Sequence, residues 1–364
     1  MSYQKLNNIG GWVAFAIAMV VYTLTVEPTA SFWDCGEFIA CSYKLEVPHP
    51  PGAPFFLLIG RMFSLLALGD VTQVAFWINM LSVISSAFAI LFLFWSVTHL
   101  ARKIVKVKNG EETTTDSILM IGAGAVAALT CTFSDSFWFS AVEAEVYGMS
   151  SFFTAFVFWG ILKWENKQTE SDRARWLILI AYMMGLSIGV HLLNLVTIPV
   201  LGLIMYFKYN KEVTKWGVIS TLLMSGAVIL LILVGVIPGL PSIAGALEIA
   251  FVNGLGLPFG SGVIFFGLAF LGALVFGINY SIKHKKYILN TALLCFAFIM
   301  VGYSSYAIVL VRSGYNPPID ENNPEEIISF VSYLKREQYG SRPLFKGQYY
   351  TAQVTDQKKG AKVY

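Results

Sequence analysis

Long apolar runs separated by short polar breaks dominate this chain. Nine of them approach or exceed the roughly 20 residues that cross a bilayer as an α-helix, and they occupy residues 8–26, 74–99, 117–134, 147–163, 176–190, 192–207, 216–237, 261–281 and 287–311. The pattern predicts an all-α polytopic membrane protein, a bundle of about nine transmembrane helices. Composition agrees, because 56% of the residues are hydrophobic and only 13% are charged, about half the charged share of a soluble domain.

Basic residues lie in alternate breaks between these segments. Fifteen fall before the first segment or after the second, fourth, sixth and eighth: Lys5, Arg102, Lys103, Lys106, Lys108, Lys163, Lys167, Arg173, Arg175, Lys208, Lys211, Lys215, Lys283, Lys285 and Lys286. The opposite breaks before residue 312 hold only Lys44 and Arg61. The positive-inside rule therefore predicts a cytoplasmic N-terminus and places the other loops outside. Since no small-x-small cleavage site follows it, segment 8–26 is predicted to be a retained signal anchor.

Residues 53–69 are apolar but are not predicted to cross the membrane. A crossing there would invert every later loop and put the basic run 102–108 outside. Gly60 and Arg61 also interrupt the segment. We expect a helix that lies in the outer interface or re-enters it, so that the first outer loop, 27–73, is structured.

Three further stretches complete the organisation. A break at His191 is predicted to bring His191 and Asn194 to the outer face, between two short segments. Residues 237–262 are rich in Gly and Pro and are predicted to form a long outer loop. The hydrophilic residues 312–364 read as a non-cytoplasmic tail with a helix at about 324–337, and as the start of a longer C-terminal region. The transmembrane domain is accordingly 1–311.

Acidic residues gather on the predicted outer face, where carboxylates near a membrane are functional candidates. Asp34 and Glu37, spaced i, i+3 in "WDCGEF", share one face if that stretch is helical. One of the two carboxylates is a candidate general base, while its neighbour positions it or stabilises charge. The alternative is that they cap an interfacial helix or bind lipid headgroup amines.

Histidine, tyrosine and two further acids are candidate substrate-binding groups. His49 lies in the rigid turn "VPHPPGAP", where it is a possible ligand or donor. Glu143 and Glu145, followed by Tyr147, lie at the second outer turn. Because Glu143 and Glu145 are spaced i, i+2, we expect only one of them to face a cleft.

Two isolated arginines, Arg61 and Arg312, lie near the outer boundary. Arginine binds phosphate through a two-pronged donor pair, so each is a candidate phosphate ligand. Ordinary snorkelling to the interface is the alternative. The cysteines, Cys35, Cys41, Cys131 and Cys295, have no metal-binding spacing and are predicted to be packing residues. We assign no metal ligand, leave metal dependence open, and find no nucleic-acid-binding patch.

The chain resembles a known family in the stretches "TVEPTASFWDCGEFIACSYKLEVPHPPGAPFF", "SAVEAEVYGMSSFF", "GVHLLN" and "NPPIDENNPEEIISFVSYLKREQYGSRPLFKGQYY". They are similar to the bacterial branch of a membrane family of unknown function whose eukaryotic relative is a protein O-mannosyltransferase. The resemblance implies a GT-C-like bundle, in which the first outer loop supplies the acidic residue. The residues that match are Asp34, Glu37, His49, Glu143, Glu145, Tyr147 and His191.

The function implied is transfer of a hexose, most often mannose, from a polyprenyl-phosphate-linked sugar to Ser or Thr of an exported protein acceptor, with inversion. Asp34 is the expected base, Glu37 its partner, and Arg61, Arg312 or His191 would neutralise the phosphate. Location in a bacterial inner membrane, among membrane lipids and with a periplasmic active face, is also implied. Alternatives are transfer to a lipid or envelope glycan, a transporter of lipid-linked sugar, and a scaffold subunit. Family members usually continue into further helices, so the resemblance implies that the chain is a fragment.

Overall fold

The computed structural model describes residues 2–105, 113–340 and 345–356, and these residues are almost entirely helical. Their fifteen α-helices are α1 (Tyr3–Leu24), α2 (Cys35–Lys44), α3 (Pro54–Ser64), α4 (Val74–Ile104), α5 (Thr114–Thr132), α6 (Asp135–Ala141), α7 (Val146–Glu165), α8 (Glu170–Ile188), α9 (Ile198–Tyr209), α10 (Lys215–Leu230), α11 (Leu240–Ile249), α12 (Ser261–Lys283), α13 (Tyr287–Tyr303), α14 (Ala307–Ser313) and α15 (Ile327–Leu334). The described residues contain no β-strand, only an isolated bridge between Val47 and Asp320.

Eight helical stretches in the described part of the chain are long and apolar enough to cross a membrane. They are Tyr3–Leu24, Val71–Ile104, Thr114–Thr132, Val146–Glu165, Leu192–Tyr209, Lys215–Gly254, Ser261–Lys283 and Tyr287–Ser313. The prediction of an all-α polytopic membrane protein is therefore confirmed. The ninth predicted segment, 176–190, falls largely on α8, whose first two turns are charged and which is not among the eight.

The first outer loop is structured, as predicted. It contains α2 and α3, and the apolar stretch Pro54–Ala67 is too short to be among the eight spanning candidates. The two helices pack on α4 through buried Phe38, Phe56 and Ile78, and the ring centroids of Phe38 and Phe56 lie 5.6 Å apart. This packing fixes α2, whose N-terminus carries the predicted acids, against the bundle.

The prediction of a long loop at 237–262 is wrong for most of that stretch. Helical backbone continues from Lys215 to Gly254, in which Leu231–Gly239 and Ala250–Gly254 are π-helical. Pro238 lies inside the first π-helical piece, whose wider turns accommodate a residue that lacks a backbone N–H. Glu248 in α11 is buried and accepts hydrogen bonds from the backbone N–H groups of Gly260, Gly262 and Val263, at 2.6, 2.9 and 3.1 Å. Glu248 therefore caps the start of α12.

The chain beyond Arg312 docks on the first outer loop. Val47 pairs with the tail through two backbone hydrogen bonds, from its own N–H to Ile319 (3.0 Å) and from the N–H of Glu321 to its carbonyl (3.1 Å). Helix α15 is shorter than predicted, and its fully buried Tyr333 donates a hydrogen bond to the Pro48 carbonyl at 2.6 Å. The tail therefore forms one wall around the turn that carries His49.

Helices α8 and α13 approach each other closely through glycines. A Cβ added to Gly302 would lie 2.3 Å from the backbone nitrogen of Leu186, and one added to Gly185 would lie 2.4 Å from the Ile299 carbonyl oxygen. Small residues at a helix crossing in a membrane allow such backbone contact.

We expect Gly302→Ala to lower the stability of the protein in detergent by about 1–3 kcal/mol, because the added methyl group forces the two backbones apart. Thermal unfolding of the purified protein measures this. The matched control is Gly272→Ala in α12, where a Cβ meets nothing within 4 Å; it should be neutral or stabilising by up to about 1 kcal/mol. Equal losses in both variants would contradict the close-contact explanation.

Candidate active site

Helix α2 presents two carboxylates at its N-terminus. Asp34 is the N-cap residue and Glu37 lies in the first turn, where the partial positive charge of the helix end favours acids. Both lie on one side of the same turn, as the i, i+3 spacing predicts. Asp34 keeps 56% of its side chain exposed, whereas Glu37 keeps 24%.

Glu37 is bound to His49 through both of its oxygens. Oε2 lies 2.6 Å from His49 Nδ1, and Oε1 accepts the backbone N–H of His49 at 2.7 Å. Partial burial favours the neutral carboxyl group, but these hydrogen bonds outweigh it and lower the pKa of Glu37. The bond to Glu37 raises the pKa of His49. The pair is therefore held ionised over a wider pH range than either group alone.

The second nitrogen of the His49 ring faces Asp34. Nε2 lies 3.9 Å from Asp34 Oδ2, beyond hydrogen-bonding distance. The turn that carries His49 is held by the Gly52 N–H, which donates to the His49 carbonyl at 2.9 Å. Gly52 has φ +72°, and a Cβ there would lie 2.5 Å from the Tyr333 hydroxyl. The spacing leaves Asp34 open to the solvent in front of an oriented imidazole ring.

Glu143 and Glu145 lie beside this group, and both are buried. Ser31 donates a short hydrogen bond to Glu143, and Glu145 caps α7. Burial, reinforced by the negative charge of Asp34, raises the pKa of Glu145 from 4.5 to about 7. The expectation that one acid points away into solvent is not met, because the segment before α7 is a turn in which both carboxylates are covered.

The thiol of Cys35 lies in the same buried layer. It is 3.4 Å from the Ser31 hydroxyl and 4.0 Å from Glu145 Oε1. Burial raises its pKa to about 12, so the group is a neutral thiol rather than a nucleophile. Cys35 and Cys41 are buried and all four cysteines are free, in agreement with the predicted packing role.

Tyr147 and His191 form a second group, on which the charge of Arg336, a residue that the sequence interpretation missed, also acts. Their ring centroids lie 5.4 Å apart. Burial, with the charge of Arg336 as the second cause, lowers the pKa of His191. Arg336 also opposes protonation of His49, so its charge acts on both histidines. It follows α15 in the stretch "SYLKREQY", which the family resemblance included without marking this residue.

The two predicted phosphate ligands contact helix α2 instead of forming a group of their own. Arg61 donates to the Tyr43 carbonyl through a short hydrogen bond, and Arg312 donates to the Leu45 carbonyl at 2.6 Å and the Lys44 carbonyl at 3.2 Å. These carbonyls end α2, where cations are favourable. Phosphate binding by either arginine stays a prediction.

One group of possible metal ligands occurs in the described residues: Asp34, Glu37 and His49, with one ligand atom from each all within 4.8 Å of one another. Two ligands of one ion at bond lengths near 2.0–2.2 Å lie about 3 Å apart, whereas His49 Nδ1 and Glu37 Oε2 are 2.6 Å apart. That spacing fits a shared proton better than a shared metal ion.

The fold and the site define a polytopic membrane protein with a carboxylate–histidine centre at one end of its bundle. The chain belongs to the family described as the Protein O-mannosyl-transferase TMEM260 N-terminal domain, whose model matches residues 34–215. This confirms the predicted family. The matched range contains every predicted site residue except Arg312.

Two relatives carry the name of that family. The chain is 26% identical over 218 residues to Protein O-mannosyl-transferase tmem260 of Dictyostelium discoideum, covering 57% of this chain and 24% of that protein. It is 27% identical over 180 residues to Protein O-mannosyl-transferase TMEM260 of Mus musculus, covering 49% and 23% respectively. The chain thus spans about a quarter of these relatives. No solved structure matches it, and the GT-C-like arrangement and the bacterial branch stay predictions.

We expect Glu145→Gln to stabilise the folded protein at neutral and higher pH. The folded chain retains the Glu145 proton up to about pH 7, so ionisation of this buried group costs stability as pH rises from about 4.5 to about 7. The gain should grow over that range, level off at about 1–3 kcal/mol, and disappear below about pH 4.5. Thermal unfolding at several pH values measures it.

The exposed acid Glu212 supplies the control, because Glu212→Gln removes a carboxylate that is not buried. A pH-independent gain in Glu145→Gln, or the same gain in Glu212→Gln, would show that the burial of Glu145 does not govern its ionisation.

Proposed function

We propose that this protein transfers a hexose, specifically mannose, from a polyprenyl-phosphate donor to a Ser or Thr hydroxyl of an exported protein. The observation that carries the proposal is Asp34, half exposed beside the Glu37–His49 pair, in a chain of this family. The names of the relatives support the sugar and the protein acceptor. The lipid-linked donor is what the family resemblance implies, and the membrane setting of the site agrees with it.

In this mechanism Asp34 is the general base. Its carboxylate accepts the proton of the acceptor hydroxyl while the oxygen attacks the anomeric carbon of the donor sugar. The bond from that carbon to the phosphate oxygen breaks, and the lipid phosphate leaves with the electron pair. Attack opposite the leaving group inverts the anomeric centre. Asp34 suits this role because its side chain is open to an acceptor.

The Glu37–His49 pair forms a fixed polar wall beside the base. Glu37 fixes the ring through Nδ1 and the backbone through N–H, and so directs Nε2 toward Asp34. The fixed imidazole ring is part of a preorganised polar environment, which stabilises a charged transition state without rearrangement during the reaction.

The leaving phosphate would be met by Arg336, His191 and Tyr147. The N–H of Leu193 donates to His191 Nδ1 at 3.1 Å, so the proton of the neutral ring lies on Nε2, where it can be donated. Arg336 contributes a charge that is always present. Arg61 and Arg312 then act indirectly, by holding α2 in place.

Location in a bacterial inner membrane with this centre on the periplasmic face belongs to the same proposal, supported by the basic residues at the opposite ends of the helices. Exported proteins and membrane lipids are the expected partners. Transfer to a lipid or envelope glycan is the second candidate, because it uses the same donor and base and differs only in the acceptor. A transporter is disfavoured, since in the described residues the carboxylate–histidine centre lies at one end of the bundle rather than along a path through it.

We expect Asp34→Asn in the full-length protein to lower mannosyl transfer by about 10²–10⁴-fold, because the amide cannot accept the proton. The assay supplies radiolabelled polyprenyl-phosphate mannose and a Ser/Thr-rich exported protein to membranes, and counts label in the protein fraction. Asp70→Asn is the control: Asp70 is an exposed acid of the same loop that caps a turn through Thr72, and Asn caps equally well.

Normal transfer by a well-folded Asp34→Asn variant would remove Asp34 from the mechanism. Label that depends on Asp34 but appears in lipid or glycan would replace the protein acceptor and keep the donor and the base. Absence of transfer in wild-type membranes with every donor sugar tried would refute the glycosyltransferase proposal.

A further inference from the structure

A polar cavity lies at the other end of the bundle, far from the acidic site. Its volume is about 420 Å³, and its walls come from the start of α1 and the ends of α4 and α7. Helix α7 runs from Glu145 at the acidic site to Asn166 at this cavity. At 1.5 Å per residue the two sites are about 30 Å apart, the thickness of a bilayer core.

Among the described residues that line the cavity, the charged side chains are Arg102 and Lys163, and none of these thirteen residues is acidic. Glu165 lies beside this region, but it already binds Lys103 through its carboxylate and lies 4.0 Å from His99 Nε2. The remaining lining is rich in neutral hydrogen-bonding groups, including Gln4, Asn8 and Asn166. Such a wall selects an anion that also offers polar substituents.

The cavity also has the aromatic surroundings of a membrane boundary. Trp95 and Trp159 line it with ring centroids 5.7 Å apart, and Lys163 lies 5.2 Å from the Trp159 ring. Tryptophan and basic residues are typical of the level of lipid headgroups. Basic pockets between transmembrane helices at this level bind the headgroups of anionic lipids.

Buried polar atoms stand behind the cavity wall. Asn7 Oδ1 has no hydrogen-bond partner within the described part of the chain, and His99 Nε2 has none there beyond its 4.0 Å contact with Glu165. The Asn7 carbonyl, by contrast, accepts from Trp95 Nε1 at 3.3 Å and so ties α1 to α4. The polar, ligand-sized cavity thus lies where α1 is held against α4.

We propose that this cavity binds the phosphate headgroup of an anionic glycerophospholipid. Arg102 and Lys163 hold the phosphate, the amide side chains contact the polar headgroup, and the acyl chains leave between the helices into the membrane. The lipid would join the N-terminal helix α1 to α4 and α7. The site is separate from the proposed sugar transfer and is tested without an activity assay.

The experiment is native mass spectrometry of the full-length protein in detergent, with phosphatidylglycerol as the probe and phosphatidylcholine as the neutral comparison. We expect one tightly held phosphatidylglycerol per protein, and a loss of affinity of about tenfold or more in the double variant Arg102→Gln, Lys163→Gln. The matched control, Lys211→Gln with Lys215→Gln, removes two charges outside the cavity lining.

A second variant tests the site without removing its cations. Gln4→Glu with Asn8→Asp adds two carboxylates to the wall with little change of shape, at the start of α1, where negative charge is favourable to the helix. The variant should fold, and its affinity for phosphatidylglycerol should fall by a similar factor. Thermal unfolding with and without the lipid checks folding in each variant.

Three results would overturn the proposal. Phosphatidylcholine held as tightly as phosphatidylglycerol would exclude an anion site. Equal loss in the control variant would place the lipid elsewhere. Soluble glycerol phosphate that binds as tightly as the lipid would show that the cavity takes a free phosphate ester, and the lipid assignment would be wrong.

Discussion

The acidic site depends on how helix α2 is held at its two ends. At its N-terminus Glu37 binds both the ring and the backbone of His49. At its C-terminus Arg61 and Arg312 donate to the last carbonyls, and Leu45 adopts a left-handed conformation with φ 52°, which costs a non-glycine residue about 1–2 kcal/mol. Because His49 comes from the next turn, Arg61 from α3 and Arg312 from α14, three other parts of the chain set the position of one short helix. These contacts also fix the position of the carboxylates at the N-terminus of the helix.

Different burial gives the neighbouring carboxyl groups different properties. Glu37 is partly buried but receives hydrogen bonds from His49, which keep it ionised. Glu145 is buried next to like charge, and its pKa rises to about 7. Asp34 remains open to solvent. Groups of one chemical type thereby become suited to separate tasks, as general acid–base sites require.

The membrane sets a second constraint, which acts on both ends of the bundle. Charged side chains are confined to the ends of the spanning helices or paired, since an unpaired charge in the apolar region is costly. At one end this concentrates acids, histidines and Arg336; at the other it concentrates lysines, arginines and tryptophans around the cavity lined by Arg102 and Lys163. The two ends are therefore suited to unlike ligands, a sugar donor with its acceptor in the proposed mechanism and an anionic headgroup in the proposed lipid site.

The amino-acid sequence by itself determined the class of protein, and it predicted which stretches of the chain carry the candidate site residues. Apolar run length predicts each spanning segment because a bilayer fixes the length of a helix that crosses it. The short spacing of Asp34 and Glu37 predicts their shared face because a helix turn is local. The sequence-based prediction failed at 237–262, where Gly and Pro suggested a loop, because a π-helical backbone accepts Pro238.

Only the tertiary structure decided which side chains meet. Glu37 and His49 are separated by a turn, Ser31 and Glu143 by five helices, and Arg312 lies 267 residues from the carbonyl it binds. Nothing in local spacing encodes such contacts, since they follow from the packing of whole helices. For the same reason the sequence did not indicate that Arg61 and Arg312 contact the end of α2, and it missed Arg336. Residue type and spacing specify what a group is able to do, and packing specifies the partner with which it does so.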